Sequence, residues 1–521
     1  MHESTRASAL KPIAAMLLSC LAVSFLFVWQ GNAGFNLWDE GFLWYGVQRV
    51  QNNEVPIRDF MAYDPGRYYW SAALMSMFGD NGIMGVRASV AVVQALGLSI
   101  GLLLIARTTE RRASLELLFL VLATVTLAIW MFPRHKLFDI SISIFLTAAL
   151  AYLVRKPTPW RYLVAGVAVG LSAVFGRNHG VYGVVGSLGV MVWLLVGSGT
   201  YTNSVRGALL WVGGVTIGFL PTILMLLLVP GFAPAFCESI RFLFQQNATN
   251  LPLAIPWPWT ANISGGSAGE SARSILVGLF FIALLAFGWL GAFWVLSQRF
   301  KRKPMQPALV SSVFLTIPYA HYAFSRADIG HLAQGVFPML IGSFVLFSTL
   351  NDKLKLTLST VLCGISLWIM APQHPGWQCI VGGRCVKVEI SGNELMMDKA
   401  TADDVELLRH LAREYAPDGK SFVATPFWPG AYAVLNSKSP MWEIYALFPR
   451  QEQYERDEIK RISATSPGFV VVLDLPLDGR EELRFRNTHP VTYKYIVDNY
   501  ERIPSTTLPG YEIYRAKGAS R

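Results

Sequence analysis

KPIAAMLLSCLAVSFLFVWQGNAGFNLWDEGFLWYG, residues 11–46, sets an apolar run beside an acidic pair, Asp39 and Glu40. The run at 11–29 is long enough to cross a bilayer, which takes roughly 20 residues. The acidic pair then falls about where the lipid ends, in an aromatic setting of Trp38, Phe42, Trp44 and Tyr45. Carboxylates at a lipid–water boundary can act on a head group presented by lipid. The rest of the chain has to support or sink that reading.

Working outward, hydrophobic residues make up 53% of the 521 and charged residues only 15%. Soluble domains carry about 25% charged residues. The sequence predicts an α-helical polytopic membrane protein of about eleven spans, near 11–29, 83–106, 114–131, 138–154, 161–176, 180–197, 207–229, 274–297, 307–324, 332–350 and 356–371. A basic start and apolar middle also fit a signal peptide. The apolar core is longer than the usual one, however, and no clear small-x-small cleavage site precedes Asp39, so a retained span is expected.

Charge asymmetry orients the chain. With Arg6 and Lys11 in the cytoplasm, alternate loops carry Arg107/Arg111/Arg112, Arg155/Lys156/Arg161, Arg206, Arg299/Lys301/Arg302/Lys303 and Lys353/Lys355. The opposite loops are poorer in Lys and Arg per residue. An odd number of spans follows, with Asp39, Glu40 and everything after about residue 372 facing outward. The net charge of +10 sits mostly in the short inward loops, where it sets orientation, so no nucleic-acid partner is expected. Cys20, Cys237 and Cys363 read as small apolar residues. Cys379 and Cys385, flanking Gly382-Gly383, either close a small disulfide loop in an oxidising compartment or remain free thiols.

The expected organisation is a transmembrane module, 1–371, with outward loops 30–82 and 230–273, followed by an extracytoplasmic α/β domain at 372–521. The aromatics of the first loop favour the head-group level. In the second loop, GGSAGES at 265–271 is flexible by composition and reads as a lid. Beyond 372, helical spacing at 401–415, 451–462 and 489–500 alternates with strand signals at 421–425, 468–475 and 510–516. No Gly-rich phosphate loop, zinc spacing or nucleophile elbow is present there.

Every polar cluster of chemical interest falls on the outward side. Asp39 and Glu40 point about 100° apart on a helix, so one would face a reacting centre while the other holds structure or a cation. A charge pair favoured by the helix macrodipole explains them as well. Next come Arg58-Asp59 and Tyr63-Asp64-Pro65-Gly66-Arg67-Tyr68-Tyr69-Trp70, where Arg67 suits bidentate phosphate contact and Tyr63, Asp64 and Tyr68 can hydrogen-bond or stack on a sugar. The alternative is a Pro-Gly turn with interfacial aromatics. Arg134, His135 and Lys136 precede Asp139 at a span's outer end. They either collect a lipid phosphate or simply pair with it. Arg177 and His179 fall on the same side, and the turn at 326–331, which also holds Asp328, adds Arg326 and His331 as phosphate-binding candidates or as snorkelling helix ends.

The acidic pair after the first span, the stretch PIRDFMAYDPGRYYW and the R-x4-D before the fourth span together resemble the GT-C membrane glycosyltransferases, near the protein O-mannosyltransferases and the lipid A aminoarabinose transferase family. That resemblance implies a bundle of helices with a C-terminal extracytoplasmic domain and a polyprenyl-phosphate-linked sugar donor. It also implies an inverting transfer to a glycan, lipid or protein acceptor on the outer face of a bacterial inner (cell) membrane. Asp39 would be the catalytic base with Glu40 in support. Arg67, Tyr68, Arg134, Asp139, Arg326 and His331 would serve the donor phosphate, and Tyr63, Asp64 and His179 the substrates. No cofactor is expected; some relatives use a divalent metal, but no further carboxylate cluster suggests one here. The family's usual Pro-Pro in the first loop is Asp64-Pro65-Gly66 in this chain. The rival classes are a lipid or polysaccharide transporter, which would show mid-membrane charges and repeats, and a non-catalytic envelope assembly protein.

Overall fold

A computed structural model of the chain describes residues 2–106, 113–197, 201–246, 250–261, 267–504 and 510–517. Arg107, Arg111 and Arg112, and residues 265 and 266 of the expected lid, lie outside the described residues. A helix covers each of the expected spans: His2–Gln30, Ile83–Ala106, Ala113–Trp130, Leu137–Arg155, Pro159–Phe175, Arg177–Gly197, Tyr201–Leu228, Ala268–Phe300, Pro307–Ser325, the consecutive pair Ile329–Gly335 and Phe337–Ser348, and Asp352–Met370. By length and composition seven of the described helices can cross a membrane, or eight if the pair Ile329–Gly335 and Phe337–Phe347, bent by 56°, is one span. The bend falls where Pro338, in the first turn of the second helix, has no N–H to continue the ladder. The fold is that of a multi-pass membrane protein with a C-terminal mixed layer.

Two compact units partition the chain. The first comprises Met1–Gly31, Ala88–Val229 and Leu243–Trp377. Its centre is Pro307–Ser325, buried along most of its length and packed on Leu137–Arg155, Arg177–Gly197, Ala268–Phe300 and Phe337–Ser348. Two of its hydroxyls bond its own backbone: Ser311 donates to Ala308 O at 3.0 Å and Thr316 to Ser312 O at 2.7 Å. Pro159–Phe175 and Tyr201–Leu228 cross at backbone contact through Gly166, Gly170, Gly214 and Gly218, the small-residue packing that holds helices together where lipid removes the hydrophobic drive. Lys355, read from sequence as an orientation charge, is instead 1% exposed and donates to Glu116 Oε1 at 2.8 Å. Burying that ammonium is tolerable because its partner is buried with it.

The second unit comprises Asn32–Arg87, Pro230–Phe242 and Gln378–Arg521. The strands are β1 Cys385–Ile390, β2 Asn393–Asp398, β3 Val423–Thr425, β4 Phe469–Leu473, β5 Tyr500–Ile503 and β6 Tyr511–Ala516. β1 and β2 form an antiparallel hairpin; the others form a sheet in the order β3-β4-β6-β5, with β3 parallel to β4 and the remaining pairs antiparallel. Its core gathers Val423, Val470, Val472, Ile462, Phe485, Ile496 and Tyr514. Cys379 and Cys385 are disulfide-bonded. Six expected elements of this region form as read; the hairpin, the short helices Pro429–Val434 and Phe485–Thr488, and β5 are additions.

Residues 32–87 are knitted into this unit rather than spread on a surface. Ser439 N donates to the Tyr45 hydroxyl at 3.1 Å, Trp442 Nε1 to Ile57 O at 2.9 Å and Met61 N to Trp442 O at 2.9 Å. Phe42, Trp44 and Tyr45, expected at the head-group level, are therefore buried. The C-terminal segment supplies the apolar cover that lipid was expected to supply. Of GGSAGES, the described part is not a flexible loop: from Ala268 onward it is helix, begun by a capping box between Ser267 and Glu270.

Candidate functional site

Within the second unit the helix Asp39–Gln51 opens on the acidic pair. Its entry is fixed by Asn36, whose side-chain oxygen accepts from Trp38 N at 2.8 Å and Asp39 N at 2.7 Å. This is an Asx turn, a local cap that competes with helix and sets its start. The two carboxylates then part company as the 100° step requires. Glu40 turns inward and receives Arg87 in a bidentate pair, Nε to Oε1 and Nη2 to Oε2, both at 2.8 Å. Both side chains are buried, so Glu40 is a structural partner. Asp39 stays half-buried, and the Tyr445 hydroxyl donates to its Oδ1 at 3.1 Å.

Aromatic rings frame that carboxylate. Phe42 meets Tyr63 edge-on at 4.8 Å and Tyr445 at 5.6 Å, and the Arg67 guanidinium lies over the Tyr63 ring at 4.8 Å. Arg67 and Asp64 are themselves buried. Tyr68 is not brought to a surface. It is 0% exposed, its hydroxyl accepts from Tyr63 N at 3.0 Å, and Gly46 packs so closely on its ring that a Cβ there would sit 2.3 Å from Cε1. Tyr68 is a core residue that shapes the turn carrying Tyr63 and Arg67. Arg58 grips Asp59 with two bonds of 2.8 Å, and that guanidinium holds the Asp59 carboxyl below the usual carboxylate range.

The first unit holds the other candidates. Asp139 and His179 are buried together: His179 Nε2 and Asp139 Oδ1 are 2.7 Å apart, and His179 Nδ1 meets the Tyr319 hydroxyl at 2.8 Å. With the carboxylate ionised, Nε2 carries the proton and Nδ1 accepts from the tyrosine. Tyr182, Tyr319 and Tyr322 ring this histidine, and the Tyr182 hydroxyl bonds His321 Nδ1 at 3.1 Å. Arg134 Nη1 donates to Gln30 O at 2.9 Å. Asp328 caps Ile329–Gly335 through His331 N at 2.8 Å and also takes Arg326 Nε at 3.0 Å and the His331 ring at 2.9 Å, while His331 Nε2 accepts from Asn250 at 2.7 Å.

Arg87, Tyr445, Tyr319 and Asn250 escaped the sequence reading. Each stands far along the chain from its partner, and none sits in a motif. Among the described residues no group of three or more His, Cys, Asp or Glu is arranged to hold a metal ion.

No family model and no curated protein sequence matches the chain. Among solved structures it is similar to ArnT from Cupriavidus metallidurans bound to undecaprenyl phosphate, at 13% identity over 96% of this chain and 97% of that one, with a TM-score of 0.56. The same protein in its apo state gives 12% identity, the same coverage and a TM-score of 0.56. The Archaeoglobus fulgidus oligosaccharyltransferase in complex with Zn and sulfate is matched at 13% identity over 96% of this chain and 73% of that one, with a TM-score of 0.51. At such identity the likeness is one of fold, shared with ArnT and with that oligosaccharyltransferase.

Proposed function

We propose that the chain is a glycosyltransferase that moves a sugar from a polyprenyl-phosphate donor to an acceptor hydroxyl on the outer face of a bacterial inner membrane. In this reading the N-terminus is cytoplasmic and residues 372–521 are extracytoplasmic. Asp39 takes the acceptor's proton as its oxygen bonds the anomeric carbon. The bond from that carbon to the phosphate oxygen breaks with inversion, and its electron pair leaves on the lipid phosphate. A phosphate is a good leaving group, so one carboxylate suffices as base. Within the unit that holds Asp39, Arg67 is the proposed counter-charge for the departing phosphate, and Tyr63 and Asp64 are proposed to meet substrate.

The observation that carries the reading is the division of labour at 39–40. Glu40 is committed to Arg87, while Asp39 is oriented by a cap behind it and a phenol beside it. The undecaprenyl phosphate bound to ArnT, a protein of the same fold, supports the donor class. The test is sugar transfer in membranes from a polyprenyl-phosphate-sugar pool, with wild type compared to Asp39→Asn. Expected is a fall of about 10²-fold or more at unchanged expression, the usual size of a lost general base. Full activity in the variant removes Asp39 from the mechanism. Absence of transfer in both moves the protein to transport or assembly.

A further inference from the structure

Trp38 is the residue next to the proposed base, and it is 40% exposed. An exposed indole on a membrane protein is ordinarily an interfacial anchor, free to tilt in the head groups. This one is backed by a rigid wall. Its ring meets Phe427 edge-on at 5.2 Å, and Phe427 is buried. Phe427 is held in turn by a backbone crossing: Gly430 N donates to Leu37 O at 2.8 Å, and a Cβ on Gly41 would lie 2.5 Å from Gly430 Cα. On the flank, Tyr445 touches Phe427 and Phe42 with its ring and Asp39 with its hydroxyl. One open aromatic face, one phenol and one carboxylate are thus fixed together.

That combination fits a pyranose. A sugar offers an apolar C–H face for stacking on an indole and hydroxyls for a phenol and a carboxylate. It does not fit a peptide acceptor held by its backbone. Trp38 N, Asp39 N, Gly41 N and Phe42 N are all spent on Asn36 and Trp38, and Leu37 O on Gly430, so this stretch offers no open strand edge for an extended chain.

We propose that this patch is the acceptor subsite and that the acceptor is a saccharide, stacked on Trp38 with one hydroxyl directed at Asp39. The proposal rests on the reading of Asp39 as base, and it assigns the 427–445 segment its part in acceptor recognition.

The test uses the full chain in detergent, a panel of methyl hexosides and disaccharides, and a Ser/Thr-containing peptide. Binding is followed by isothermal titration calorimetry, and transfer is followed in parallel from the polyprenyl-phosphate-sugar pool. At least one saccharide is expected to bind the wild-type chain. Trp38→Ala should weaken it about tenfold or more and Trp38→Phe much less, as expected for a stacking anchor. In transfer, Trp38→Ala should raise KM more than it lowers kcat. A panel with no binding member, or transfer to the peptide with a KM that Trp38→Ala leaves unchanged, overturns the proposal. Saccharide binding lost in Trp38→Ala, with no transfer by wild type, keeps the subsite and sinks the reading of Asp39 instead.

Discussion

Gly213 and Gly214 are neighbours on one helix, yet an alanine should be harmless at the first and costly at the second. At Gly213 an added Cβ meets nothing within 4 Å; at Gly214 it would lie 2.3 Å from Leu163 O and 3.0 Å from Val167 N. Backbone atoms cannot turn aside as a flexible side chain can, so Pro159–Phe175 would have to retreat by about 1 Å along a close-packed seam. Such overpacking costs about 1–3 kcal/mol. Both substitutions gain the same helix propensity, up to about 1 kcal/mol, and that term cancels between them. The difference in stability is therefore the crowding term alone, about 1–3 kcal/mol. It can be read as thermal exposure of the buried thiol Cys363 in a Cys20→Ser/Cys237→Ser background, using the purified chain in detergent. Gly214→Ala should release the thiol several degrees below Gly213→Ala. Adding Gly166→Ala, whose Cβ would lie 2.1 Å from Trp211 O, should cost less in the double variant than alone, because one retreat relieves both clashes. Equal melting of Gly213→Ala and Gly214→Ala refutes the crossing.

Arg87→Leu should destabilise the second unit by about 3–5 kcal/mol by stranding the buried Glu40 carboxylate. Glu40→Leu added to it should recover most of the loss, and a double variant no more stable than the single one argues that the pair is not what is missing. Asp404 accepts from the Tyr511 hydroxyl at 2.8 Å, and burial, ahead of its acidic neighbours, raises its carboxyl to about 6 from an ordinary 3.8. The folded chain therefore holds this proton over a window in which the unfolded chain has lost it. The group's contribution is full below about pH 4 and is lost as pH rises through about 6. Asp404→Asn should remove that slope and be the more stable form at pH 8; unchanged pH dependence of denaturant unfolding rejects the assignment.

Much of the bundle was legible because a bilayer demands long apolar runs, and those runs need no partner to be seen. The alternating elements after residue 400 were legible for a similar reason: LRHL and VVVL show their periods locally. The β1–β2 hairpin was not, since its burial alternates weakly and most of its residues are half or fully exposed. Lys355 shows the limit more sharply. A lysine at the start of a span looks like an orientation charge until its neighbour is known, and Glu116 lies 239 residues away. The candidate residues divided the same way: the acidic pair and Arg67 in one unit, and Asp139 and His179 in the other, were visible in local motifs, whereas Arg87 and Tyr445 were not.

That division has a physical consequence for the proposed base. Adjacent carboxylates on one helix cannot share a task, and the sequence left open which of them would be structural. The answer comes from residues outside the motif. Arg87 draws Glu40 inward, and the Gly41–Gly430 approach brings Phe427 to Trp38 while Tyr445 of the same segment reaches Asp39. A general base must be held in register with the proton it takes, and a loop of aromatic and polar residues cannot hold it alone. The C-terminal segment supplies that rigidity through packing and one phenolic hydrogen bond, so that in the proposed reading the orientation of Asp39 and the recognition of its acceptor are built from the same few rings.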